Sequence, residues 1–267
     1  MTKVTQFKIT TLGNLHVGSG EQNFGVVDNL VQKDSITEVP MINSSSLKGA
    51  IRDHFETKKL SIKKIRHIFG HSDKDSASAG EVKFLQAQLL ALPVRSNKQL
   101  YFLATTPQIL KDYMENHKVM TKENLDITIP TMSENVYIST NDSNCWVEDY
   151  EVKQNNVESL KKISDLLFDG HPLALMKDEV FKTITLPIIT RNKIAKHADD
   201  DNNLFYEEVI PRRTVFYSYI ITPDDSDIAD KELESVFKDF IDELKQDVIQ
   251  VGANASIGYG LCEFKEL

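Results

Sequence analysis

The chain has 267 residues, of which 40% are apolar and 27% are charged, with a net charge of −9. This length suits one large domain or two small ones, and the apolar content supports a folded core and argues against long-range disorder. Two cysteines, Cys145 and Cys262, are too few for a secreted disulfide framework or a thiolate zinc site. The first residues form no apolar signal core, and no apolar stretch approaches the ~20 residues that span a bilayer, so we expect a cytoplasmic protein with no membrane partner.

Charge is distributed unevenly along the chain. Residues 48–66 carry seven basic and two acidic side chains, whereas residues 224–243 carry nine acidic and two basic ones. One basic surface could therefore bind phosphates despite the acidic average. Two solvated helix faces would give the same pattern, so charge alone does not establish a nucleic-acid partner.

The elements of the first half are predicted from alternation, apolar spacing and turn residues. In chain order they are a strand over 4–12, a glycine cluster (Gly13, Gly18, Gly20 and Gly25), an extended segment over 26–33, a helix after Asn43 with Leu47, Ala50, Ile51 and Phe55 on its buried face, a helix over 61–69 with Ile62, Ile65 and Ile68 inward, a mobile loop over 71–80, strands over 82–94 and 100–106, and a helix over 107–116.

In the second half, residues 119–150 show no strong period. The elements predicted after them are a helix over 155–168, a strand over 181–190, a polar tip over 198–203, strands over 204–210 and 214–221, an acidic helix over 230–247, a short strand over 248–251, a glycine-rich loop over 252–260 and a strand over 261–264. This order predicts an α+β fold with an antiparallel sheet, in which a ferredoxin-like unit resembling RNA-recognition modules carries a large insertion.

A serine-rich loop that enters a basic helix suits phosphate binding. Ser45, Ser46 and Lys48 stand at the start of the helix, where free N–H groups and the helix dipole favour an anion. Arg52 lies one turn above Lys48 on the same face. A plainly capped helix with exposed basic residues explains the same pattern.

Two glycine-rich loops expose backbone N–H groups that can form anion nests: Gly18-Ser19-Gly20, and the loop that contains Asn254, Ser256 and Gly258. Tight turns are the alternative explanation. A dinucleotide-binding loop is excluded, because Gly25 does not stand at the required spacing and no helix opens there.

Four residues are candidates for acid, base or metal chemistry. Asp28 could hold a divalent cation or act as a base, and His16 could assist proton transfer. Glu207 and Glu208 raise the same question. A lone Asp in a loop is also a common turn former, so spacing alone leaves these roles open. The seven histidines include no HExxH motif and no pair at zinc-ligand spacing.

Several motifs occur together in one order between residues 15 and 260. They are LHVGSG (15–20), Pro40, SSLKGAIR (45–52), FG (69–70), AGEV (79–82), LLALPVRS (89–96), LFYEEVIP (204–211) and VGANASIGYG (251–260). Together they resemble the RAMP superfamily of CRISPR effector proteins and, within it, the repeated backbone subunit of the Cmr (type III-B) complex.

The resemblance implies a single domain over 1–267 with a modified ferredoxin-like palm, inserted fingers and a thumb β-hairpin. The glycine loop, basic helices and finger-like insertion would occupy about 13–80, the thumb about 185–206, and the C-terminal palm 214–267. It also implies that several copies stack along one CRISPR guide RNA beside other Cmr subunits and cut the paired target RNA at regular intervals with Mg²⁺ or Mn²⁺.

The resemblance also implies site residues. Asp28 matches the catalytic and metal-binding Asp, His16 matches the His of the first motif, and Glu207 or Glu208 matches the acidic residue, of which we select Glu208. The implied RNA contacts are Gly18, Ser19, Gly20, Ser45, Ser46, Lys48, Arg52, Arg191, Lys193, Asn254, Ser256 and Gly258.

The chain departs from the family pattern before the basic helix. Asn43 replaces the usual Gly, and Glu38-Val39-Pro40 replaces the usual Thr-Gly-Leu-Pro. Two other functions stay open: a non-catalytic guide scaffold of the Cmr or related Csm type, and a guide-processing RNase that uses His16 as a metal-independent base.

Overall fold

The structure is a computed structural model and describes residues 2–20, 26–72, 76–153, 157–193, 203–228 and 230–267. Gly25 of the glycine cluster and most of the polar tip predicted over 198–203 lie outside these residues. The described residues divide into two compact units. Unit 1 contains residues 1–88, 186–212 and 217–266, and unit 2 contains residues 89–185 and 213–216.

The strands and helices confirm the α+β class. In chain order they are β1 (Thr2–Thr11), β2 (Met41–Ile42), α1 (Ser44–Thr57), α2 (Ile62–Phe69), β3 (Gly70–Ser72), β4 (Ala77–Ala79), β5 (Lys83–Phe84), β6 (Ala87–Val94), β7 (Phe102–Thr105), α3 (Pro107–Thr121), β8 (Val136–Ile138), β9 (Trp146–Val147), β10 (Tyr150–Glu151), α4 (Val157–Leu167), β11 (Leu173–Met176), α5 (Asp178–Phe181), β12 (Ile188–Lys193), β13 (Asn203–Glu208), β14 (Val215–Pro223), α6 (Val236–Leu244), β15 (Val248–Gln250) and β16 (Leu261–Glu266).

In unit 1, the strand order β15-β16-β1-β14 forms the main sheet, and β5 pairs with β14. β1 and β16 are antiparallel, with Ile9 opposite Phe264. The central residues of β1 are buried on both faces of the sheet, although three of them, Thr5, Gln6 and Lys8, are polar. The sheet therefore carries the first strand of the chain in a fixed position next to the last.

An aromatic cluster joins α1, α2, β5 and α6 within unit 1. The ring centroids of Phe55 and Phe240 lie 5.1 Å apart, and those of Phe69 and Phe84 lie 5.5 Å apart. Such pairs add about 0.5–1.5 kcal/mol beyond the burial of apolar area. Leu47, Ile51 and Phe55 are buried as the helical spacing predicts, so α1 presents its opposite, polar face to solvent.

Unit 2 contains the strand order β6-β7-β11-β8. Here the prediction of an antiparallel sheet is wrong, because β11 pairs with β7 in parallel, with Ala174 opposite Ala104. The chain between these two strands includes α3 and α4, which supplies the long connection that a parallel pair needs. β11 was not predicted, because a four-residue run that is buried throughout shows no alternation.

Two predicted helix features differ in the structure. Ile62 is 71% exposed because it is the first residue of α2, before the part of the helix that packs. The acidic helix predicted over 230–247 is broken at Ser235, whose φ of 58° is left-handed. α6 therefore begins at Val236, although the apolar residues predicted to face inward are buried.

One loop prediction and one strand prediction also differ from the structure. The loop predicted over 71–80 contains the hairpin β3–β4, in which His71 pairs with Ser78. A strand was predicted over 181–190, but α5 extends to Phe181 and β12 begins at Ile188, directly after Pro187. Among the described helices, none is both long and apolar enough to cross a bilayer.

The basic and acidic stretches of unit 1 bind each other. Lys58 Nζ lies 2.8 Å from Glu243 Oε1 and 2.5 Å from Asp247 Oδ2, and Lys63 contacts Asp230 and Glu232 at 2.7 and 2.6 Å. Much of the positive charge over residues 48–66 is therefore compensated within the unit. Lys58 and Lys63 therefore bind acidic side chains of the same unit and add little to the basic surface that could bind phosphates.

We expect the contact between Lys58 and Asp247 to stabilise the fold in a pH-dependent way. Partial burial acts to raise the pKa of Asp247, but hydrogen bonds from Lys58 and His54 bring it below its usual value. A carboxyl whose pKa is lower in the folded state than in the unfolded state stabilises the protein. This contribution is fully present at pH values above the unfolded-state pKa of about 3.9, and it is lost as pH falls through the folded-state pKa.

Asp247→Asn should therefore lower the free energy of unfolding by about 1 kcal/mol near pH 6. The difference from wild type should shrink below about pH 4. Urea unfolding between pH 3 and pH 7 measures this, with Glu158→Gln as a control in the exposed pair with Lys162. A difference that stays constant down to pH 3 would contradict the assignment.

Candidate active site and RNA interface

The segment that follows β1 lies between two other parts of unit 1. The backbone groups of Leu15 and Ile210 exchange two hydrogen bonds of 2.8 Å. On the other side, Ala253 N–H donates to His16 O at 2.9 Å, and Gly260 N–H donates to Asn14 O at 2.7 Å. His16 is therefore held between the end of β13 and the C-terminal glycine loop.

This close approach requires a glycine at position 252. Gly252 has a φ of 78°, and a Cβ there would lie 2.3 Å from His16 O. Gly258, in the same loop, has a φ of 80° but nothing within 4 Å of an added Cβ. The two glycines share a backbone conformation and differ only in the space beside them.

The His16 ring has one fixed nitrogen and one that points into the site. Its Nδ1 lies 2.8 Å from the backbone oxygen of Glu208. Because a carbonyl oxygen only accepts, Nδ1 carries a proton, so the lone pair of the neutral form of the ring stands on Nε2. His16 is 5% exposed, and a Cβ at Gly18 would lie 3.3 Å from Nε2, so a larger residue at position 18 would crowd this atom.

Glu207 is the carboxylate that faces His16. Its Oε1 lies 3.9 Å from His16 Nε2. The residue is only 4% exposed, and its charge is compensated by Arg191 Nη1 at 2.9 Å and by Asn254 Nδ2 at 3.0 and 3.2 Å. A buried carboxylate needs such partners, and they fix its orientation.

Glu208 points to a different place, as adjacent strand residues do. Its Oε1 accepts from Lys33 Nζ at 2.8 Å and its Oε2 accepts from Val31 N–H at 3.2 Å. Only its backbone oxygen contacts His16. The structure thus brings Glu207, and not the side chain of Glu208, next to His16.

Asp28 lies at the edge of β13, beside Tyr206. Its Oδ2 accepts the Tyr206 N–H at 2.7 Å, and its own N–H donates to Tyr206 O at 3.1 Å. The residue is exposed. Asp28 is thus bonded to the residue that precedes Glu207, with its carboxylate accessible to solvent.

Asp28 presents an exposed carboxylate, the kind of ligand that a divalent cation such as Mg²⁺ prefers. Among the described residues, no three His, Cys, Asp or Glu side chains come together as metal ligands. Mg²⁺ often binds only one or two protein carboxylates and completes its shell with water and substrate phosphates. The residues present therefore fit an ion shared with RNA, and they do not fit a dedicated protein cage.

The start of α1 carries the other group of predicted contacts. Asn43 is the N-cap residue, and its side chain makes no capping hydrogen bond. Ser45 is exposed and Lys48 half-buried. Arg52 is bound to Glu56 at 2.7 Å and donates to Gly70 O at 3.2 Å, so part of its donor capacity is used within the protein.

Within the segment assigned to the thumb by resemblance, β12 and β13 pair as antiparallel strands, with Arg191 opposite Phe205. The Arg191 guanidinium also lies 5.5 Å from the centroid of the Tyr259 ring. The side chain of Lys193 and residues 194–202 lie outside the described part. Ser256 and Gly258 are exposed in the C-terminal loop, as a contact surface requires.

A sequence model of the RAMP superfamily matches residues 8–263 of the chain. The chain belongs to the RAMP superfamily. The protein from Pyrococcus furiosus named CRISPR system Cmr endoribonuclease Cmr4 is 29% identical over 275 residues, which cover 94% of this chain and 91% of that protein.

Two solved structures share the RAMP fold of this chain. One is a chain of type III-B Cmr-beta bound to cognate target RNA, with a TM-score of 0.78, 21% identity, and coverage of 99% of this chain and 97% of the other. The second is oligomeric Cmr4 from Pyrococcus furiosus, with a TM-score of 0.74, 24% identity, and coverage of 99% and 98%.

Sequence reasoning missed two residues of this RAMP site. Gln32 contacts both Gly18 and Ser46, and Tyr259 lies beside Arg191. Both stand inside or next to motifs that were identified. No spacing rule marks them, because their contacts depend on how distant segments meet.

The two glycines of the C-terminal loop provide a matched test of this packing. Gly252→Ala and Gly258→Ala impose the same left-handed strain, but only Gly252→Ala places a methyl group against His16 O. We expect Gly252→Ala to lower the free energy of unfolding by about 1–3 kcal/mol more than Gly258→Ala. Equal losses in chemical denaturation would contradict the close approach at His16.

Proposed function

We propose that this chain is the guide-RNA-binding backbone subunit of a type III-B CRISPR complex, and that it cleaves guide-paired target RNA at regular intervals. The name of the Pyrococcus furiosus relative supports the cleavage activity. The observation in this structure that carries the proposal is the oriented His16: its Nδ1 is bound to the Glu208 carbonyl, and its Nε2 lies beside Glu207 and Gly18.

The partners in this proposal are a guide RNA, a target RNA, further copies of the chain and other Cmr subunits. The similar type III-B Cmr-beta structure is bound to cognate target RNA, and the similar Cmr4 structure from Pyrococcus furiosus is oligomeric. When the guide reads the sequence by base pairing, the protein needs only backbone and shape contacts. Gly18, Ser45, Ser46 and Lys48 are suited to contacts of that kind.

The mechanism begins with proton transfer at His16. The Nε2 lone pair accepts the proton of the 2′-hydroxyl, and the 2′-oxygen attacks the adjacent phosphate. The bond from phosphorus to the 5′-oxygen of the next nucleotide breaks, and this leaving oxygen takes a proton from water. The Glu208 carbonyl keeps the ring oriented, and the Glu207 carboxylate stabilises the imidazolium that forms. Glu207 acts through His16 and is therefore a positioning residue, held in turn by Arg191 and Asn254.

Asp28, together with RNA phosphates, would hold a Mg²⁺ or Mn²⁺ ion. Such an ion, when bound, supplies positive charge that stabilises the charge developing on the phosphate. Asp28 is bonded to the backbone of Tyr206, and this fixes its carboxylate relative to the neighbouring Glu207. The resemblance also implies that the thumb hairpin pushes aside a base at regular intervals, and the distorted RNA backbone next to such a base would favour in-line attack.

Asp28→Ala in the assembled complex tests the proposed catalysis. We expect evenly spaced target cleavage to fall at least about 100-fold, with guide affinity unchanged, and we expect EDTA to abolish cleavage in the wild type. Gel analysis of labelled target RNA and guide-binding titration measure both quantities.

Three results would contradict parts of this proposal. Loss of guide binding in Asp28→Ala would make Asp28 structural. An uncut target with tight guide binding in the wild type would leave a scaffold subunit. Cleavage of precursor guide RNA in EDTA would favour the metal-independent processing enzyme, for which the oriented His16 is the supporting observation.

The two adjacent glutamates give a second test. Glu207→Gln and Glu208→Gln are isosteric, but only Glu207 presents its charge to His16 Nε2. We expect Glu207→Gln to slow single-turnover cleavage by about tenfold to 100-fold. Glu208→Gln should change the rate much less. The reverse order would show that Glu208, selected from the sequence, is the functional carboxylate.

A further inference from the structure

Gln32 connects the two segments predicted to bind the guide backbone. Its Nε2 donates to Gly18 O at 3.1 Å and to Ser46 Oγ at 3.0 Å. Its Oε1 accepts the Asn43 N–H at 2.8 Å. One half-buried side chain therefore joins the glycine loop after β1 to the first turn of α1.

These contacts fix the orientation of the amide. Gly18 O only accepts and Asn43 N–H only donates, so exchanging the amide oxygen and nitrogen would break both contacts. The backbone of Gln32 is also bound, since its N–H donates to Val17 O at 2.8 Å and its carbonyl accepts the Met41 N–H at 3.1 Å. Gln32 thus acts as a spacer with a defined length and direction.

The contact with Ser46 has a chemical consequence. Because Ser46 Oγ accepts from Gln32, the hydroxyl proton of Ser46 can donate to another acceptor, such as a phosphate oxygen. Asn43 N–H is already used by Gln32, so the next residues of α1 provide the N–H groups for an anion. Gln32 therefore determines both which donors are presented and where they lie.

We propose that Gln32 is a positioning residue that sets the spacing between the Gly18–Gly20 loop and the first turn of α1, so that both bind neighbouring phosphates of the guide RNA. This inference rests on the proposed function and adds to it. The side chain itself uses its polar groups within the protein, and it acts on RNA through Gly18 and Ser46.

A double-mutant cycle on the full chain tests the proposal. Gln32→Met has similar length but makes none of the three hydrogen bonds, and Ser46→Ala removes the hydroxyl. We expect Gln32→Met to weaken guide-RNA binding about tenfold and Ser46→Ala about threefold. The double variant should be no weaker than Gln32→Met alone, because the two residues act as one unit. Gln108→Met, on the exposed face of α3, is the matched control and should bind like wild type.

Guide affinity is measured by titration at constant salt, with the thermal midpoint of each variant as a check on folding. If Gln32→Met unfolds, Gln32→Glu replaces it, because it keeps the acceptor for Asn43 and loses both donors. Wild-type binding by a folded Gln32 variant, or additive losses in the cycle, would overturn the inference alone. Absence of guide binding by the wild-type chain would overturn the proposed function, and this inference with it.

Discussion

The active-site geometry depends on one close backbone contact, between His16 and the C-terminal glycine loop. Ala253 N–H bonds to His16 O at 2.9 Å, and no side chain fits at Gly252. The residues involved are separated by more than two hundred positions, so the site exists only after the first and last strands of unit 1 have paired. A contact of such long range makes the site a product of the complete fold. Mutations that loosen the glycine loop should therefore affect His16 even though they lie far from it in sequence.

A second constraint comes from the buried charge of Glu207. Its carboxylate is accessible to almost no water and depends on Arg191 and Asn254. Removing one partner would leave an uncompensated buried charge, which is far more costly than the net contribution of the pair. Because Glu207 needs both partners, its carboxylate connects Arg191 in β12 to Asn254 in the C-terminal loop. It also gives Arg191 a role inside the protein, beside the RNA contact that the family resemblance implies.

Much of α1 could be predicted from the sequence, because the helical period indicates which face is buried. Leu47, Ile51 and Phe55 are buried as expected. The choice between Glu207 and Glu208 could not be made, because neighbouring strand residues point to opposite sides and the register with distant segments decides which side holds His16. The pairing of Lys58 with Asp247 was missed for a similar reason. Local patterns indicate that a stretch is basic but not which charges it meets.

We propose that target RNA is cut at a site formed by His16 and Asp28 of this chain. The most direct measurement is a structure of the assembled complex with a target RNA that carries 2′-deoxy nucleotides at the cut positions, which removes the attacking hydroxyl and preserves the bound state. We expect each scissile phosphate to lie beside His16 Nε2 and Asp28 of one copy of the chain. The 2′ carbon of the preceding nucleotide should face Nε2. Scissile phosphates positioned at another subunit, or away from both residues, would contradict this proposal.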